Sequence, residues 1–189
     1  RTGKGQHVDI AMTDGVISMM HAEAASYFAT GKVPGRGDIL MFGGAHHYNI
    51  YKTKDGKYVS LGALEPWFHE NLCKALGRDD FTPHEFNAEK WDEMAAAFRK
   101  IFLTKTRDEW VKLLRQTDTC VAPVYSVDEV FSDPQVLHRK MVVEVDHPTL
   151  GKVKQVGISI KLSETPGAVR SVAPQPGQHT DDILRSVGY

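Results

Sequence analysis

Apolar and polar positions along the chain fall into two alternating kinds of pattern. Between Met41 and Gly77 the period is that of strands, then of a helix. Ile50 and Tyr51 run into Lys54-Asp55-Gly56-Lys57, where Asp-Gly tolerates the positive φ of a tight turn, and Tyr58 to Leu64 reads as the returning strand. Glu65-Pro66 stops that strand. Proline suits the first position of a helix because it has no N–H to leave orphaned, and Phe68, Leu72 and Leu76 follow at helical spacing until Gly77 ends the run. Glu65 is thereby placed at a helix N-terminus.

Upstream, His7–Ile10 has the make-up of a short strand. Met12, Val16, Met19, Met20 and Ala24 form the apolar stripe of a helix predicted over 11–29. Gly31, Pro34, Gly35 and Gly37 then make a connector and a domain boundary. Downstream, Trp91, Met94, Ala95, Phe98 and Phe102 share one helical face, the pattern of a core stripe. Thr106-x-x-Glu109 and Ser126-x-x-Glu129 are capping boxes that open two further helices. Between them 120–124 reads as a short extended segment, and Asp133-Pro134 starts a helical stretch through His138. Met141–Val145 and Val153–Ile160, joined through Pro148 and Gly151, predict a hairpin. Pro166, Pro174 and Pro176 mark a linker, after which Thr180 is expected to cap a last helix carrying Ile183, Leu184 and Val187.

Composition narrows the classes. With 189 residues, 41% of them hydrophobic, the chain can build a core. A net charge of −1, with acids interspersed among the bases, gives no surface for nucleic acid or an anionic membrane. No apolar run approaches the 18 or so residues of a membrane span. The two cysteines, Cys73 and Cys120, stand far apart without a CxxC, which fits reduced thiols in a cytoplasmic protein rather than a disulfide framework or zinc site. His46 and His47 raise a metal question. Neighbours on a strand point to opposite faces, so no metal site is expected of them. GxSxG, HExxH, P-loop and dinucleotide fingerprints are absent from the sequence.

Two features carry chemistry. Gly43-Gly44 is either a turn or a backbone that approaches a ligand closely. Glu65 is either a simple N-cap or a carboxylate held anionic by the helix dipole, a poor general acid but a good counter-ion for a histidinium.

Taken together, RTGKGQHVDIAM at the start, LGALEPWF, SDPQVLHRKMVVEVDHPTLGKVKQVG and GQHTDDILRSVGY resemble the family III CoA-transferase (CaiB/BaiF) superfamily over essentially the whole chain. LGALEPWF is similar to the α-methylacyl-CoA racemase branch. The resemblance implies an α/β fold that is the C-terminal half of the family's: residues 1–37 a helix and linker of a Rossmann-like large domain, 38–163 a small α+β domain, and 164–189 a return to the large domain. It implies an interlocked homodimer acting on acyl-CoA, with coenzyme A entering as part of the substrate and no separate cofactor, and with the catalytic aspartate and histidine upstream of Arg1. Glu65 would partner that histidine, and Gly43, Gly44, Tyr48, Leu64 and Met12 would contact substrate. Tyr48 read by itself is a half-buried strand tyrosine. The short Gly43-Gly44 pair, in place of a longer glycine run, leans toward the racemase. The expected activity is inversion of the α-carbon of 2-methyl-branched acyl-CoA thioesters. Transfer of CoA between carboxylic acids through an aspartyl-CoA thioester is the alternative, and a non-catalytic interaction domain is a third.

Overall fold

A computed structural model describes residues 3–37 and 39–189 of the chain. They divide into two compact units, Arg1–Val124 and Tyr125–Tyr189.

The first unit opens with two helices, α1 (Met12–Met19) and α2 (His21–Thr30), broken at Met20 where a single continuous helix is expected from the sequence. No side chain of either helix is buried, so the stripe through Met12, Met19 and Phe28 faces outward at 89%, 79% and 81% exposure. His7–Ile10 pairs with no strand among the described residues and stays irregular, because a strand needs a partner for its backbone groups.

The hairpin follows as read. β1 (Ile50–Lys52) pairs antiparallel with β2 (Tyr58–Leu61), and Gly56 alone in the connecting turn takes a positive φ, +80°. Past Leu61 the ladder continues less regularly, Leu61 donating its N–H to the Asn49 carbonyl and Ala63 to the His47 carbonyl. Helix α3 (Pro66–Ala75) starts with its proline at the first turn and ends where Gly77 turns left-handed at φ +67°. A 3-10 segment Asp79–His84 leads to α4 (Trp91–Phe102), then α5 (Arg107–Leu114), whose Thr106–Glu109 capping box forms in both directions. β3 (Val121–Val124) adds to the free edge of β2 and completes a three-stranded antiparallel sheet. Pro123 is tolerated there because β3 is an edge strand with no further neighbour to receive its missing N–H.

Sheet and helices close on one core. Tyr51, Val59 and Leu61 meet Leu72 and Cys73 of α3, Met94, Phe98 and Phe102 of α4, and Trp110 and Leu114 of α5. Phe98, fully buried, lies at the centre, with the rings of Tyr51, Phe81 and Phe102 at 5.9, 6.0 and 6.3 Å. This packing holds the sheet, the start of α3 and the Ala45–Asn49 turn in a fixed relation, which sets the geometry of the site.

The second unit holds α6 (Val127–Val130), opened by the Ser126–Glu129 capping box, α7 (Pro134–His138), capped by the Asp133 carboxylate, and the hairpin of β4 (Val142–His147) with β5 (Gly151–Val156). The final helix α8 (Thr180–Ser186) begins with Thr180 inside it. His179 occupies the cap position without a side-chain hydrogen bond, so Thr180 is not the cap expected from the sequence. No side chain of this unit is fully buried.

Candidate functional site

The sheet edge, the Gly43 turn and the start of β3 enclose a cleft of about 570 Å³. Met41, Phe42, Ile50 and Leu61 give it an apolar wall, and Tyr48, Asn49, Ser60 and Cys120 supply polar atoms. That volume and mixture suit a small organic group. Gly43 bends the chain into the cleft rim at φ +95°, a conformation costly for a residue with a Cβ, while Gly44 lies outside the left-handed region. Asn49 fixes this rim by donating from Nδ2 to the Gly43 carbonyl at 2.9 Å and accepting the Ile50 N–H at Oδ1 at 2.8 Å.

Glu65 stands at the first corner of α3 with extended backbone, φ −83° and ψ 142°. Its carbonyl accepts the N–H groups of Phe68 and His69 at 2.9 and 3.1 Å, whereas its side chain makes no capping hydrogen bond. The carboxylate is exposed at the positive end of the helix. Its charge reaches two neighbours. Burial first, then Glu65, pushes the Glu85 carboxyl above its ordinary range, and burial followed by Glu65 and Asp118 does the same for the Cys120 thiol. Glu65 itself does not line the cleft, whose nearest lining residue in the chain is Gly62.

Of the residues singled out in the sequence, Gly43 and Tyr48 line the cleft. Gly44 is adjacent to the rim, its N–H held by the Ile39 carbonyl, and Leu64 is half-buried in the chain leading to Glu65. Neither lines it. Met12 is on the exposed face of α1 and does not line it either. Asn49, Met41, Phe42 and Cys120 were not legible as lining, since the last comes from a strand whose pairing with β2 is non-local.

Behind the cleft wall three histidines meet. His46, His47 and His69 are each fully buried, with ring centroids 4.7, 5.0 and 5.4 Å apart. His46 Nε2 and His69 Nε2 are within hydrogen-bond distance at 2.8 Å, the donor being whichever ring carries the proton there, and the Tyr51 hydroxyl donates to the His46 carbonyl at 2.7 Å. The alternation expected of a strand does not hold here. Residues 45–48 form a turn, Tyr48 N–H to Ala45 carbonyl at 3.3 Å, and it directs both His46 and His47 toward His69. His69 belongs to the buried face of α3 with Leu72 and Cys73, and its sequence signal was that of an ordinary core position. Burial pushes all three imidazoles down, His46 to about 3 and His47 and His69 to about 4, with the neighbouring histidines adding to the effect for the first two. His46 Nδ1, His69 Nδ1 and both nitrogens of His47 have no hydrogen-bond partner among the described residues. Each such atom costs about 1–3 kcal/mol if left so.

The CoA-transferase family III model matches residues 1–180. The chain belongs to that family. As a family III chain it is 31% identical to human alpha-methylacyl-CoA racemase, with all of this chain aligned to 49% of that protein. It is also 30% identical to the succinyl-CoA–D-citramalate CoA-transferase of Chloroflexus aurantiacus, over 97% of this chain and 47% of the relative, and 31% identical to a formyl-CoA:oxalate CoA-transferase of Rhodopseudomonas palustris, over 100% and 50%. Among solved structures a CaiB/BaiF family protein from Brucella suis superposes with a TM-score of 0.73 at 22% identity, over 98% of this chain and 49% of its own. The family III chain thus spans about half the length of the curated relatives it matches, and its mixed α/β architecture is that of a half of the family fold.

Proposed function

We propose that this chain is the C-terminal part of an acyl-CoA racemase that inverts the α-carbon of 2-methyl-branched acyl-CoA thioesters. The reading rests on one observation: Glu65 presents an exposed carboxylate at the N-terminus of α3, a short step along the chain from the cleft-lining Gly62, without spending it on a cap. Racemisation needs a base on one face of the α-carbon, an acid on the other, and donors for the enolate oxygen. The base and acid would be an aspartate and a histidine supplied upstream of Arg1. Glu65 would orient and charge that histidine, a task for which an anion stabilised by a helix N-terminus is suited. The apolar wall of the cleft would receive the branched acyl chain, with Tyr48 at its polar edge. Coenzyme A arrives as part of the substrate. The working form would be an interlocked cytoplasmic homodimer, in which the exposed stripes of α1 and α2 find their packing partners.

A second reading is favoured by the CoA-transferases among the relatives, which match at 30% and 31% identity against 31% for the racemase. In it, CoA passes between carboxylic acids through an aspartyl-CoA thioester.

The test uses the full-length protein in D2O with a 2-methylacyl-CoA. A racemase incorporates deuterium at the α-carbon with no acceptor acid present, whereas a transferase moves CoA only when an acceptor is supplied. Glu65→Gln should keep the fold and CoA affinity and slow the exchange by roughly a hundredfold. Unaltered exchange in the folded variant would refute the role of Glu65.

A further inference from the structure

We propose that His46, His47 and His69 form a metal site that binds one first-row divalent cation of the zinc type. Their donor nitrogens lie within 4.8 Å of one another, and all three side chains are fully buried. Tetrahedral zinc with Zn–N bonds of about 2.0–2.1 Å places its ligand atoms roughly 3.3 Å apart. The His46 Nε2 to His69 Nε2 separation of 2.8 Å has to open by a few tenths of an ångström to meet that spacing, and a nitrogen of His47, within 4.8 Å of the donors of the other two rings, has to draw in toward them.

The chemistry of the donors agrees with the geometry. A metal ligand must be a neutral imidazole with a free lone pair, and full burial of the three side chains disfavours the charged ring. Three imidazoles without a carboxylate among them select zinc and its neighbours over magnesium or calcium, which prefer oxygen. Phe98 against His46, and Phe86 and Trp91 against His47, form apolar walls that hold the rings in place. A fourth position would be taken by water or a nearby side chain. The Cys73 sulfur is 3.5 Å from His69 Nε2, its thiol pushed up to about 12 mainly by burial.

The consequence for the site follows from chain position. His47 immediately precedes Tyr48 in the cleft wall, and His69 lies one helical turn beyond Glu65. A cation on these ligands would tie the Ala45–Tyr48 turn to α3, and so fix Tyr48 relative to Glu65. That positioning role rests on the racemase reading, whereas the binding of the cation does not.

The experiment expresses full-length protein in zinc-supplemented minimal medium, so that the ion can enter during folding. Metal content after gel filtration is measured by inductively coupled plasma mass spectrometry, and Tm before and after prolonged chelation. His47→Phe is the matched variant, since a benzyl ring fits the aromatic surroundings of His47 and removes its nitrogens. Wild type should carry one zinc per chain and lose Tm on chelation, while His47→Phe, shown folded by circular dichroism, carries none and its Tm is unmoved by chelator. Should His47→Phe fail to fold, His69→Gln serves the same comparison. Wild type without stoichiometric metal, or a folded variant that keeps it, would overturn the proposal whatever the racemase assay shows.

Discussion

Glu65 and His69 are joined by one turn of α3: the His69 N–H donates to the Glu65 carbonyl at 3.1 Å, while their side chains leave the helix into opposite environments. The carboxylate is exposed, and the imidazole is fully buried in the histidine cluster.

Because Glu65 spends no side-chain hydrogen bond on capping, its replacement should cost little stability. In urea unfolding, Glu65→Gln is expected to lose less than about 1 kcal/mol, the scale of a helix-dipole interaction. Thr106→Ala should lose about 1–2 kcal/mol, since Thr106 accepts the Glu109 N–H and its own N–H is bonded by the Glu109 carboxylate at 2.8 Å. Equal losses in the two variants would show that Glu65 is structural.

Phe98 is the packing centre of the first unit. Phe98→Ala would open a cavity beneath Tyr51, Phe81, Phe102 and His46 at once. A loss of about 3–5 kcal/mol is expected, read as a fall in the urea midpoint with unchanged slope. A loss under about 1 kcal/mol would mean that the cluster is not closed as described.

The exposed apolar stripes of α1 and α2 should make this chain associate when produced alone. Met12, Met19 and Phe28 on these helices, and Ile183 on α8 in the second unit, present apolar side chains to solvent. Light scattering should give a mass above that of a monomer, increasing with concentration, and racemase and transferase assays of the chain alone should give no turnover. A monodisperse monomer at high concentration, or measurable turnover, would contradict this.

Local signals were legible and non-local ones were not. Asp55-Gly56, Pro66, Gly77 and the two capping boxes each act within a few residues, and each element they predict is present. The extended segment at 120–124 was legible, but pairing of Ser60 with Ala122 spans a gap that no periodicity reports, so its place beside β2 and the Cys120 wall of the cleft could not be seen. Strand alternation does not apply to His46 and His47, because residues 45–48 form a turn, and nothing in the spacing of α3 singles out His69 from any other position on its buried face. Thr180 misled for a simpler reason: a threonine one position inside a helix has the same sequence context as a cap.

Cys120 offers a direct probe of the Glu65 corner. Its thiol is exposed to reagents, yet its pKa is raised, chiefly by desolvation and then by the negative charges of Glu65 and Asp118. A raised thiol pKa means less thiolate at any pH below it, so alkylation of Cys120 by iodoacetamide at pH 8 should be slower than that of an unperturbed cysteine. Glu65→Gln removes one of the charges, lowers the pKa toward its ordinary value and should speed alkylation. The rate–pH curve should shift to lower pH and keep its plateau. Cys73, buried and pushed up to about 12, should stay unmodified throughout and serves as an internal control for folding. Because the Coulomb contribution is partly screened, the shift should shrink as salt is raised, whereas the desolvation contribution should not respond. An alkylation curve for Glu65→Gln that coincides with wild type at low salt would mean that the Glu65 charge does not reach Cys120.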